Sequence, residues 1–321
     1  MSLTRRRFLG GLAAAGALSA MPNTAFAACP FRIAVINDEI TQDFDHACHV
    51  ATHGFGLEWM ELRGMWNKNI SNLNEAEIQR SVKILAKYNL RVTDIASPLF
   101  KVDWPGAPRS RFSPPQAEFH ADFDFKQQDA LLDHCIGLAR TFGTNRIRCF
   151  DFWRLDDVTP FRAAINGKLR QAAQTCAKHN MILLLENEMD CNTGTGREAV
   201  ETLKAVPETN FMLNWDPGNS ATFAGDVPYP ADYALLPKHR IGHCHAKSVF
   251  RKPGGKWEWA PVGQGVVDWT GQLRALMRDG YHDAVSLETH WRGAGTPEAS
   301  SRVSMKGLKE ALAKAGTGCF G

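Results

Sequence analysis

The sequence predicts a single-domain α/β protein, a (β/α)8 TIM barrel. Two observations carry this reading. Strand-type and helix-type patterns alternate eight times along the chain, as parallel strands joined by helical crossovers require. Four segments of the second half, LLLENE (183–188), NWDPGN (214–219), GHCHAKS (242–248) and SLETHW (286–291), each follow an apolar run with a metal-type side chain, about one βα unit apart. A doubly wound sheet is the alternative, but no G-x-G-x-x-G follows the first strand.

The elements follow in order. Arg32–Ile40 reads as the first strand and Phe44–His53 as the first helix. Leu57–Arg63 is the second strand, and Asn74–Tyr88 carries Ile78, Val82, Ile84 and Leu85 at helical spacing. Arg91–Ala96 is the third strand, followed by a helix over Lys126–Phe142. Arg146–Trp153 is the fourth, followed by a helix over Phe161–Asn180. Met181–Glu186 and Arg197–Ala205 form the fifth pair. Asn210–Trp215 is the sixth strand, with a short helical connection over Ala231–Pro237. Arg240–Ala246 precedes a helix over Asp268–Asp279, and Ala284–Glu288 precedes the last, Ser300–Ala313. Two longer stretches, Pro98–Ala121 and Val249–Val267, follow strand ends and read as lids or substrate walls.

The chain has 321 residues and a formal net charge of +3. Residues 1–27 carry Arg5-Arg6-Arg7 before Phe8-Leu9, a short apolar core, and Ala25-Phe26-Ala27, the parts of a twin-arginine signal. The core is too short for a membrane anchor. An exported, periplasmic barrel over residues 28–321 is therefore expected. Removal of Met1 to Ala27 takes away three arginines and no acids, so the mature chain is neutral and gives no electrostatic ground for nucleic-acid binding. None of the eight cysteines forms a C-x-x-C pair. Free buried thiols are the favoured reading. Cys29 and Cys319 lie at the two ends and are able to pair after export; lipidation of Cys29 is the weaker alternative.

In a parallel barrel the C-terminal strand ends converge on one face. Glu186, Asp216, His245 and Glu288 would then meet around one cation. Each has an ordinary reading: Glu186 as a cap or a partner of Arg197, Asp216 as a turn starter, His245 as a satisfied interior histidine, Glu288 as an exposed strand end. The joint placement on four successive strands favours ligands. Three carboxylates and an imidazole suit Mn²⁺ first, with Mg²⁺, Co²⁺ or Zn²⁺ as competitors. Two residues earlier, Leu184, Asn214, His243 and Ser286 point inward one layer deeper, and three of them are polar, as supports for ligands would be. Two residues later, Glu188, Gly218, Lys247 and His290 ring the mouth. A bound cation acidifies a C–H beside a carbonyl, and Glu186 and Glu288 are assigned as the acid/base pair. Glu188, Asn219, Lys247, Arg251 and His290 are the candidate substrate contacts. Trp66, Trp104, Phe152 and Trp153 are candidate stacking faces for a sugar ring.

Leu185-Glu186-Asn187, Trp215–Asn219, His243–Lys247, Gly263-Gln264-Gly265 and Leu287-Glu288 resemble the xylose isomerase-like TIM barrels, the sugar phosphate isomerases/epimerases. The resemblance spans about Phe31 to Ala315. It implies a Glu/Asp/His/Glu metal site at Glu186, Asp216, His245 and Glu288, with the glutamates as acid/base pair and Asn219 and Arg251 in substrate contact. Glu188 stands where relatives often have histidine, Ser248 where aspartate usually follows the lysine, and Gln264 replaces a glutamate.

These features predict a divalent-metal-dependent isomerase or epimerase of a ketose or related hydroxy-ketone, with no stable membrane span and room for homo-oligomerisation. Export favours a non-phosphorylated substrate. The alternatives are a lyase or hydrolase of 3-keto-glycosides or cyclic polyols, and a non-catalytic periplasmic sugar-binding protein. A related multi-zinc DNA endonuclease would need further histidines that the pattern lacks.

Overall fold

The computed structural model describes residues 29–113, 121 and 123–320. Eight parallel strands form one sheet: β1 (Arg32–Val35), β2 (Trp59–Leu62), β3 (Arg91–Ile95), β4 (Arg146–Cys149), β5 (Ile182–Glu186), β6 (Phe211–Trp215), β7 (Ile241–Ala246) and β8 (Ala284–Leu287). Their order is β1-β8-β7-β6-β5-β4-β3-β2. Between β1 and β2 the seam is closed by the parallel bridge Ile36–Glu61. The predicted TIM barrel is therefore observed, nearly closed.

The helices that cover it are α1 (Phe44–His49), α2 (Glu75–Lys87), α3 (Gln128–Thr141), α4 (Arg162–Lys178), α5 (Gly196–Ala205), α6 (Trp269–Arg278) and α7 (Pro297–Ala315). Local sequence sets their ends. Asn74 with Glu77 and Thr195 with Glu198 form capping boxes at α2 and α5. Gly316, with φ of 82°, ends α7 in the left-handed conformation that glycine adopts without cost.

Several predicted strands are shorter than the sequence suggests, because the backbone turns to other hydrogen-bond partners at the mouth. The first stops at Val35, and Asn37–Glu39 is a 3₁₀ turn. Asn37 there accepts from the Arg63 amide and donates to the Gly64 carbonyl. The fourth stops at Cys149, after which Phe150 and Phe152 donate from their amides to the Leu99 and Phe100 carbonyls. The first helix gives way to a π turn over Val50–Gly54. The connection over Ala231–Pro237 retains one short helix, Tyr233–Leu235. The long stretch after β7 contains an antiparallel hairpin, Ser248–Arg251 with Trp257–Ala260.

The apolar core lies between sheet and helices, whereas the inside of the barrel is polar. Glu61, Asp94, Asn214, His243, His245 and Ser286 have no solvent exposure, and Arg148 and Glu186 have 1%. Cys29, before β1, is disulfide-bonded to Cys319, after α7. Cys48, Cys135, Cys149, Cys176, Cys191 and Cys244 are free and buried, as expected. The signal-type segment of residues 1–27 lies outside the described residues. Among those described, no helix is long and apolar enough to cross a membrane.

Candidate metal centre

The four expected ligands come together at the C-terminal ends of β5 to β8. One donor atom each from Glu186, Asp216, His245 and Glu288 lies within 4.8 Å of the others, and all four residues are buried. His245 is the hub. Its Nδ1 stands 3.2 Å from Glu186 Oε1, 3.1 Å from Glu288 Oε2 and 3.7 Å from Asp216 Oδ2. Its Nε2 faces the other way, 3.0 Å from Glu61 Oε1.

The alternative role of Asp216 is also present, on a different oxygen. Oδ1 accepts from the Asn219 amide and caps the short helix Pro217–Ser220, while Oδ2 faces His245 and Lys247. Glu186 pairs with Arg148, Nη1 to Oε2 at 3.0 Å, and not with Arg197. Glu288 receives Arg63 Nη1 at 2.6 Å and His290 Nε2 at 3.1 Å on Oε1.

The mouth residues divide into two groups. Lys247 Nζ lies 2.9 Å from Asp216 Oδ2, 2.5 Å from Glu288 Oε2 and 3.1 Å from Asn219 Oδ1. Asn219 also donates to Glu186 Oε1 at 3.3 Å. Gly218 permits this approach, since a Cβ there would sit 2.7 Å from Lys247 Cβ. Lys247, Asn219 and His290 therefore touch the quartet. Glu188 lies to one side, 3.4 Å from Lys101. Arg251 is exposed, and its guanidinium donates to the carbonyls of Ala221, Phe223 and Asp226.

The stacking candidates pack elsewhere. Phe152 is buried in a cluster with Phe100, Trp104 and Phe125. Trp153 packs with Phe150 and Cys191, and Trp66 stands against Phe44 and Arg80. The aromatic ring beside the quartet is Trp259 of the hairpin. It lies 5.1 Å from the His290 ring and 5.1 Å from Lys247 Nζ.

The charges of the site support one another. Burial pushes the Glu186 carboxyl up, but His245 and Arg148 more than offset it and hold the group at about 2. Burial also opposes ionisation of Glu288, yet Lys247, His245 and His290 hold it well below the usual carboxylate range. Burial disfavours charge on Lys247, but Asp216, Glu288 and Glu186 raise it well above an ordinary lysine.

The donor set fits a hard divalent cation. Asp216 Oδ2 and Glu288 Oε2 are buried and accept no hydrogen bond; Lys247 meets them as a nearby charge without hydrogen-bond alignment. Buried carboxylate oxygens of this kind need a partner. Two further groups adjoin the quartet: Glu61, His243 and His245 share its histidine, and Glu39, Glu288 and His290 are already neutralised, because Glu39 pairs with Arg63 and Arg292.

Sequence reasoning missed Glu39, Glu61, Arg63, Asp94 and Arg148, all from the first four βα units. A signal was present in two of the strands. Glu61 stands between Met60 and Leu62, and Arg148 between Ile147 and Cys149. A charge alternating with apolar residues shows that the two faces of the strand differ, and closure of the sheet decides which face is inside.

This is a parallel barrel whose strand ends carry a buried Glu/Asp/His/Glu quartet suited to a divalent ion. The chain belongs to the xylose isomerase-like TIM barrel family, whose profile matches residues 50–311. It is 24% identical to a 3-dehydroshikimate dehydratase of Bacillus anthracis over 251 residues, covering 74% of this chain and 82% of that one. A D-psicose 3-epimerase of Clostridium cellulolyticum, solved with D-tagatose, superposes with a TM-score of 0.63 at 14% identity, covering 88% of this chain and 99% of the other. The IolI protein with a bound zinc atom superposes with a TM-score of 0.66 at 14% identity, covering 88% and 98%. At these identities the structural likeness establishes the barrel.

Proposed function

We propose that this protein is a divalent-cation-dependent isomerase or epimerase of a ketose or related hydroxy-ketone, with Mn²⁺ as the first candidate ion. The observation that carries the reading is that Glu186 Oε1 and Glu288 Oε2 both stand against His245 Nδ1, at 3.2 and 3.1 Å. Glu186, Asp216, His245 and Glu288 would hold the ion, which supplies polarisation of a carbonyl and acidification of the adjacent C–H. One glutamate takes the proton from carbon, and the other returns one from the opposite side. Arg148 and Arg63 each bind one oxygen of a glutamate, which leaves the other oxygen to face the centre. Lys247, Asn219 and His290 bind substrate oxygens, while Glu188 and Arg251 stand further out as specificity contacts.

A second reading is a dehydrating lyase. Two observations favour it: the dehydratase relative, and Lys247, a protonated ammonium 2.5 Å from Glu288. A glutamate would take the α proton, Lys247 would give a proton to the β hydroxyl, and water would leave as the C=C bond forms. Incubation of the metal-loaded protein in deuterated solvent with a panel of keto-sugars and cyclic hydroxy-ketones separates the two. An epimerase washes deuterium into recovered sugar, and a dehydratase yields an unsaturated product. A chain that does neither, yet binds sugars without an ion, would be a binding protein.

We also infer an exported, periplasmic location and a substrate free of phosphate. The twin-arginine pattern and the Cys29–Cys319 disulfide support this, since such bonds persist in oxidising compartments. Fractionation of cells expressing the full chain tests it; protein confined to the cytosol refutes it.

A further inference from the structure

Beneath the quartet lie two buried carboxylates that the proposed chemistry does not use, Glu61 on β2 and Asp94 on β3. A continuous set of contacts joins them to the hub histidine. Asp94 Oδ1 is 3.1 Å from His243 Nε2. His243 Nδ1 is 3.0 Å from the Asn214 amide oxygen, and the Asn214 amide nitrogen is 3.0 Å from His245 Nε2. Glu61 Oε1 stands 3.0 Å from that same Nε2, while its Oε2 is 3.7 Å from His243 Nε2 and accepts no hydrogen bond. The two imidazole rings are perpendicular, 5.3 Å apart.

Proton counting makes this layer specific. A neutral imidazole has one N–H and one lone pair. If Nδ1 of His245 is to give its lone pair to a cation among Glu186, Asp216 and Glu288, the proton must sit on Nε2. Glu61 is the anion placed to accept it. An amide NH₂ cannot donate to that N–H, so Asn214 must then present its oxygen to His245 and its nitrogen to His243 Nδ1. His243 then keeps its own proton on Nε2, 3.1 Å from Asp94 Oδ1. The Asp94 contact is one of proximity, since His243 Nε2 makes no aligned hydrogen bond in this structure.

We propose that Glu61 is a positioning residue for the metal centre. It accepts the Nε2–H of His245, fixes the tautomer and ring plane, and makes Nδ1 the ligand atom. Asp94 sets its charge beside His243 Nε2, and His243 in turn holds Asn214. This rests on the reading of the quartet as a cation site, to which Glu61 contributes no donor atom. Side chains that orient a ligating histidine change metal affinity by about 10- to 100-fold when removed.

The test is calorimetric titration of the metal-free full chain with Mn²⁺, for the wild type, E61Q and E61L, with circular dichroism as the check on folding. One ion per wild-type chain is expected. E61L should bind about 10- to 100-fold more weakly, and E61Q, which keeps an acceptor oxygen, should recover most of the loss. Imidazole ¹⁵N spectra of the Zn²⁺-loaded wild type should show His245 protonated at Nε2. This spectrum decides the matter even where E61L fails to fold, because a proton on Nδ1 overturns the proposal. A folded E61L with wild-type affinity also overturns it. So does a second bound ion that is lost in E61L, which would make Glu61 a ligand. A wild-type chain that binds no ion removes the cation site itself, an outcome distinct from the others.

Discussion

Arg63 on the second βα unit donates to Glu288 on the eighth, Nη1 to Oε1 at 2.6 Å, across the seam of the barrel. The same guanidinium reaches Asp38 and Glu39, and it is 3% exposed. Arg63 thus ties an acid/base candidate to the turn that follows β1. Removing it leaves buried carboxylates without their counter-charge, which typically costs about 3–5 kcal/mol. R63M should lower unfolding stability by an amount of that order, and urea denaturation of the metal-free chain measures it. A loss below about 1 kcal/mol would show that the pair is not a structural tie.

Glu186→Gln and Glu288→Gln should each reduce turnover by about 10²- to 10⁴-fold, the range for a lost acid/base group. The fold should persist. Stability should also fall, because Arg148 and Arg63 lose the anions they face. Rates on the identified substrate, read beside circular dichroism, check both. Full activity in both variants would refute the assigned roles.

Glu39 gives the site an acid limit. Burial raises its pKa, but His290, Arg63 and Arg292 outweigh that and hold the group at about 2, against 4.5 for an ordinary glutamate. The folded protein thus keeps the charge where the unfolded chain takes up a proton. The resulting stability, on the order of 3 kcal/mol, is fully present above about pH 4.5 and is lost as the pH falls towards 2. Urea midpoints at pH 6 and pH 3 should differ less in E39Q than in the wild type. An unchanged difference would exclude Glu39 as a source of acid sensitivity.

The quartet was legible in the sequence because each member ends a strand of ordinary apolar residues, at a spacing that only a barrel turns into proximity. The first half was harder to read. Its strands carry charges that look like strand ends or surface residues, and a charge in a strand does not announce which face it is on. Glu61 and Arg148 are inside because the apolar neighbours on either side of them pack against helices, a fact that depends on sheet closure. The short first and fourth strands were overcalled for a related reason. Asn37 and Glu39 satisfy the backbone and guanidinium of Arg63, just past β2, which local pattern does not reveal. Trp259 was passed over because the hairpin that carries it looked like a loop.

Disulfide closure should contribute measurably to stability. Cys29 and Cys319 are 290 positions apart, so the bond closes a loop of nearly the whole described chain. Such a bond constrains the unfolded state and is worth roughly 2–4 kcal/mol. C29S with C319S together should lower the Tm by on the order of 5–15 °C, and a reducing agent should reproduce that on the wild type alone. Scanning calorimetry with and without reductant tests it; identical transitions would show that the ends contribute little.

Trp259 should govern substrate affinity more than rate. Its ring lies 5.1 Å from the His290 ring and 5.1 Å from Lys247 Nζ, and both of those side chains touch Glu288. The indole is half-buried and therefore offers part of its surface beside the quartet. Trp257 packs on it at 4.8 Å and restrains its motion. An aromatic contact of this kind is worth about 0.5–1.5 kcal/mol beyond burial, or roughly 2- to 12-fold in affinity. W259A should raise KM by that factor with a smaller change in kcat, because the groups it lies beside, His290 and Lys247, bind substrate oxygens in the isomerase reading. W259F should recover most of the loss. A fall in kcat at constant KM would mean that the ring instead holds Lys247 or His290 in place for the chemical step.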